Sequence, residues 1–167
     1  MGAEFYGYYV PYQEDKNKAL QELRIREFEA GRYRAALAEH NAFPQYDPDR
    51  SPFMDDAANE PAPGKIHDSI EEALEDEWAE EEGTASILDL LEVSDIKDLS
   101  IAHLPTKEEL IKSFTTDKPN REQLEKGVWI YSDYLADIIG VRGIGFCITV
   151  YDNESPSELF FGGWSID

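Results

Sequence analysis

Ile144-Gly-Phe-Cys-Ile-Thr-Val-Tyr-Asp152 and Glu158-Leu-Phe-Phe-Gly-Gly-Trp-Ser-Ile166 are the two runs whose reading decides the fold. Both are rich in β-branched and aromatic residues, and Asn153-Glu-Ser-Pro-Ser157 between them supplies turn chemistry, so they read as an antiparallel hairpin. Cys147 has no His or Lys near it in sequence to activate it, and its apolar strand predicts a buried, inert thiol.

Upstream of the hairpin, Leu124, Val128, Tyr131, Leu135, Ile138 and Ile139 form a helical stripe over 121–139, weakened by Gly127 and closed by Gly140. Thr106, with Glu109 three residues on, opens a shorter helix carrying Leu110, Ile111 and Phe114. Leu99 to Leu104 reads as a strand ended by Pro105. Ser86 to Val93 has apolar residues at both parities and reads as a central strand, with a short helix as the alternative. Asp68 to Glu82 reads as one helix, with Ile70, Ala73, Leu74 and Trp78 on its inner stripe. Asp68 with Glu71, or Ser69 with Glu72, can form its capping box, and Gly83 ends it.

At the start of the chain, Phe5 to Val10 is a strand closed by Pro11, in which Gly7 marks a bulge or a close backbone approach. Glu14 to Ala30 follows as a helix with Gly31 at its C-cap. Residues 32–66 contain Pro44, Pro48, Pro52, Pro61 and Pro63 and no sustained period. They read as a long, partly ordered excursion that Phe43, Tyr46, Phe53 and Met54 dock onto the body. The whole, 1–167, is expected to be one α+β domain. Its sheet is mostly antiparallel, with about four or five strands and the C-terminal hairpin, and its helices pack mainly on one face. The aromatic residues Phe5, Tyr6, Tyr8, Tyr9 and Tyr12 would then share that sheet with Phe160, Phe161 and Trp164, as core and rim or as an interface.

Composition narrows the function. The 167 residues carry 15 Lys plus Arg against 36 Asp plus Glu, a net charge of −21, and this disfavours contact with nucleic acid phosphates or an anionic membrane surface. A single cysteine excludes an internal disulfide framework. No apolar window reaches bilayer length, the first residues lack the pattern of a secretory signal, and Tyr6 stands where myristoylation prefers Ser or Thr. A cytoplasmic location is the expectation.

The charge is concentrated. Residues 51–100 hold 16 acids against Lys65 and Lys97 alone, most densely in the helix with Glu71, Glu72, Glu75, Asp76, Glu77, Glu80, Glu81 and Glu82. Like charges four apart destabilise a helix by about 0.2–0.5 kcal/mol per pair, so helix stability does not account for this run.

No set of residues demands a catalytic reading. His40, His67 and His103 are scattered and match no zinc spacing, and ordinary surface or capping roles are expected for them. His67-Asp68-Ser69 has the letters of a hydrolytic triad, but adjacent residues do not meet in triad geometry, and a helix N-cap explains Asp68 and Ser69. No serine lies in a GxSxG elbow. Gly140-Val-Arg-Gly-Ile-Gly145 precedes a strand, whereas phosphate-cradling loops follow one, and Asp47, Asp49, Asp55 and Asp56 lack calcium-loop spacing. No cofactor or metal is expected.

The leading expectation is a non-catalytic acidic protein that binds and masks a basic protein, as an inhibitor in the manner of an immunity protein or a nucleic acid mimic, through Glu71, Glu72, Glu75, Asp76, Glu80 and Glu82. The alternatives are an enzyme or small-ligand binder with a pocket near 32–66, and a structural subunit of a larger assembly.

Overall fold

In a computed structural model, which describes residues 4–43, 61–139 and 143–165, the sheet is mixed and is buried on both faces. Its strands are β1 (Phe5–Pro11), β2 (Glu92–Ser94), β3 (Ile101–His103), β4 (Gly145–Asp152) and β5 (Ser155–Trp164), in the spatial order β1-β5-β4-β3-β2. β1 with β5 and β4 with β5 are antiparallel, while β2 with β3 and β3 with β4 are parallel. The expected mostly antiparallel sheet is corrected accordingly: half of its pairings are parallel. The α+β class and a single unit stand.

β4 and β5 run antiparallel from Gly145 opposite Gly163 to Asp152 opposite Ser155, with a register shift between Val150 and Tyr151. Asn153 and Glu154 join them, both at positive φ (46° and 70°), as a two-residue type I′ turn requires. β1 adds its aromatics in register, Tyr8 opposite Phe161 and Tyr9 opposite Phe160. Gly7 marks neither a bulge nor a close backbone approach but room for a side chain, since a Cβ there would lie 2.7 Å from the Phe160 ring.

Side-chain alternation splits the core in two. On one face Tyr6, Val10, Cys147, Leu159 and Phe161 pack with Ala19, Leu20 and Leu23 of α1 (Lys16–Ala30). On the other, Phe146, Ile148, Val150 and Phe160 pack with Phe114 of α5 (Lys107–Phe114) and with Leu124, Val128, Tyr131 and Leu135 of α6 (Arg121–Ile139). Helices therefore cover both faces, against the expectation of one. The cause is legible in β4 and β5, whose consecutive apolar residues can be buried only if both sides are covered.

Asp15 caps α1 at its start and Gly31, at φ 72°, ends it, while the Thr106–Glu109 capping box opens α5 as the spacing predicts. The excursion 32–66 is less irregular than expected, because α2 (Arg34–Glu39) forms within it; Tyr46, Phe53 and Met54 lie outside the described residues. The predicted helix over 68–82 is two short helices, α3 (Ile70–Leu74) and α4 (Glu77–Glu82). Ser86–Val93 is neither strand nor α-helix throughout: a 3-10 turn covers Ile87–Asp89 and β2 begins at Glu92. A third apolar cluster, Phe28, Tyr33, Ala36, Ala73 and Leu88, fastens α2 and α3 to the end of α1. Among the described residues, no helix is long and apolar enough to cross a membrane.

Candidate protein-binding face

Ser69 caps α3, its hydroxyl accepting the Glu72 N–H at 3.2 Å while the Glu72 carboxylate accepts the Asp68 N–H at 2.8 Å. Of the two sequence alternatives it is the Ser69–Glu72 pair that forms the cap. Ala73 is buried, with Ile70 and Leu74 packed against the same cluster, so the inner stripe of α3 points inward as predicted. For the fourth residue of that stripe, Trp78, only the backbone is described.

The helix breaks at Glu75 and Asp76, and the break has a visible cause. The Tyr33 hydroxyl meets His67 Nδ1 at 3.0 Å, and His67 Nε2 meets Asp76 Oδ2 at 3.1 Å. This draws Asp76 toward His67 instead of leaving it on an outer helical surface. The Ile66 N–H also donates to the Tyr33 hydroxyl, at 3.1 Å. Tyr33, His67 and Asp76 follow the order of a nucleophile, a base and its orienting acid, but the tyrosine is 1% exposed and its hydroxyl is already engaged. The chain fastens segment 61–69 to the core.

The six predicted contact residues divide. Glu71, Glu75 and Glu80 are exposed and make no ion pair among the described residues. Glu72 is exposed but occupied as a cap. Asp76 and Glu82 are already partnered within the fold: Asp76 meets His67, and Glu82 pairs with Arg34, which is buried and also reaches Glu4 at 3.7 Å. Arg34 thus compensates a carboxylate at the unfavourable end of α4, and that role has no signal in local sequence. Glu77 and Glu81 are exposed beside the outward three.

The histidines also differ from expectation. His40 is exposed at the end of α2, and His67 is half-buried in the chain just described. His103 is buried, with Nε2 3.1 Å from Glu109 Oε2. Glu109 also accepts the Thr106 N–H at 2.8 Å and pairs with Lys97. Burial pushes the Glu109 carboxyl up, but Lys97, Thr106 and His103 together outweigh it and bring it down to about 2. On the other face of the sheet Asp89 is buried with Oδ1 held at 2.7 Å by both the Thr84 N–H and hydroxyl, and burial raises its carboxyl. Cys147 is fully buried, and burial pushes its thiol up to about 12, which suits an inert core residue.

No group of three or more His, Cys, Asp and Glu among the described residues is placed to hold a metal ion. Asp47, Asp49, Asp55 and Asp56 lie outside the described residues, as do Gly140, Val141 and Arg142. Compared with models of protein families, with curated proteins and with solved structures, the chain matches none.

Proposed function

We propose that the protein is a non-catalytic acidic partner that binds and masks a basic protein. The observation that carries this reading is the division of labour on α3 and α4: Glu72, Asp76 and Glu82 fasten the two helices, while Glu71, Glu75 and Glu80 are exposed and make no ion pair among the described residues, Glu71 being attracted to Arg24 only through the field. Because the fastening acids are internally matched, the outer ones can carry a strong field without unseating the helices. Such a field raises association rates and makes them fall with salt.

The test is the triple reversal Glu71→Lys, Glu75→Lys, Glu80→Lys. A basic protein retained stoichiometrically by the wild type at low salt is expected to associate at least tenfold more slowly with the variant, and the salt dependence of that rate is expected to flatten. An association rate equal to wild type at low ionic strength overturns the reading.

A further inference from the structure

Arg24, Arg26, Arg32 and Arg34, four of the chain's seven arginines, fall between residues 24 and 34 of a sequence whose net charge is −21. Arg34 is matched by Glu82, but Arg26 and Arg32 both converge on Glu27. Glu27 is 1% exposed, on the inward stripe of α1 with Leu20 and Leu23. The end of the helix delivers Arg32 to it. Gly31, at φ 72°, donates its N–H to the Phe28 carbonyl at 2.9 Å, and the Arg32 N–H meets the Glu27 carbonyl at 3.0 Å. This pair of bonds is a Schellman cap, which turns the chain back over the last turn of α1.

Arg26 Nε donates to Glu27 Oε1 at 2.8 Å. Arg32 donates from Nε to Oε2 at 2.7 Å and from Nη2 to that same Oε1 at 3.3 Å. One arginine neutralises a buried carboxylate, so the second leaves a surplus positive charge. The bonds to Glu27 occupy the Nε side of each guanidinium. Nη1 and Nη2 of Arg26 and Nη1 of Arg32 have no hydrogen-bond partner among the described residues. The Arg26 side chain is 43% exposed and that of Arg32 15%, and the unpartnered nitrogen of Arg32 is not sealed in the interior.

We propose that Arg26 and Arg32 form a binding site for a phosphate group, with Glu27 beneath them fixing both side chains. Sharing the Glu27 Oε1 atom as acceptor sets the two guanidiniums side by side, and their free ends are donor forks of the kind that phosphate oxygens fill. A tetrahedral anion presents oxygens in several directions and takes bonds from both forks at once. Side chains already held in place lose less freedom when the ligand arrives. The acidic chain repels anions at long range, but salt at physiological strength screens that repulsion beyond about 8 Å and leaves the local surplus of charge to act. The site lies at the end of α1 and does not depend on the acidic face of α3 and α4.

The experiment titrates isotope-labelled protein with inorganic phosphate, methyl phosphate and acetate at one physiological ionic strength, reading the Arg Nε–H signals and the backbone amides of residues 26–33. Inorganic phosphate is expected to shift them saturably and to bind about tenfold more tightly than acetate, as two forks on a dianion require. Methyl phosphate bound as tightly as inorganic phosphate, or more so, assigns the site to a phosphate monoester; much weaker binding assigns it to free phosphate. Arg26→Gln is expected to weaken phosphate about fivefold or more, while Lys126→Gln, the same charge change at an exposed residue of α6, leaves it unaltered. Arg26 is exposed and Arg32 still neutralises Glu27 in the variant, so the fold should persist, and unchanged signals of β4 and β5 report that directly. Unsaturable shifts, acetate bound as tightly as phosphate, or equal weakening by the two variants overturns the inference and leaves the basic-partner reading untouched.

Discussion

At Glu109 three donors converge on one buried carboxylate, from Lys97, Thr106 and His103, and its ionisation is depressed to about 2. A carboxyl depressed in the folded state contributes stability that is present above its unfolded value, near 4.5, and lost as pH falls through 4.5 toward 2. Glu109→Gln is therefore expected to cost about 1–3 kcal/mol at neutral pH, since His103 and Lys97 lose a charged acceptor. In urea titrations that gap should narrow as pH falls across the same window. Asp89 carries the opposite sign. Burial raises its carboxyl, so its contribution is present in acid and lost as pH rises through the raised folded value. The gap between wild type and Asp89→Asn should accordingly widen as pH falls. A gap that moves the same way for both variants would contradict the contrast drawn between their surroundings.

Among the elements, β2 is an edge strand and α1 closes it. The Asn17 side-chain amide accepts the Val93 N–H at 2.8 Å and donates to the Val93 carbonyl at 3.2 Å, while Gln21 donates to the Leu91 carbonyl at 2.9 Å. One asparagine thus takes the place of a neighbouring strand and blocks unwanted pairing there. Asn17→Ala is expected to destabilise the fold by about 1–2 kcal/mol, read by denaturant unfolding, and to speed exchange of the Val93 amide before that of β4. Stability and exchange equal to wild type would remove this role. The same contrast explains what sequence could reveal. β1, α1, α5, α6 and the β4–β5 pair announce themselves through caps, periodicity and runs of at least seven residues. β2 and β3 have three residues each. Their register is set by long-range partners such as Asn17, and the loop between them is shorter than the usual parallel crossover, so no local pattern forecasts a parallel pair. The helix break at Asp76 has the same origin, because His67, itself held by Tyr33, reaches it from elsewhere. Of the candidate face, the acidic run is written in the sequence. Which acids are free depends on where Arg34 and His67 arrive in space.

For the molecule as a whole, a charge of −21 on 167 residues is a standing repulsion that favours expansion of the chain. It is offset where cations are placed inward: Arg34 on Glu82, Lys97 on Glu109, and Arg32 on the buried Glu27. The remaining repulsion is concentrated in residues 51–100, and salt screens it over about 8–10 Å at physiological ionic strength. Thermal stability of the wild type is therefore expected to rise with added sodium chloride through the low-salt range. The reversal Glu71→Lys, Glu75→Lys, Glu80→Lys should raise stability at low salt by about 0.5–1 kcal/mol, from relief of like-charge pairs within and between the short helices. It should also shrink the gain that salt confers. This measurement needs only the isolated protein, so it separates the cost of the acidic face to the fold from its use in binding. If the reversal lowers stability at low salt, attraction of these glutamates to cations of the fold, such as that of Glu71 to Arg24, outweighs their mutual repulsion, and they are not an outward field.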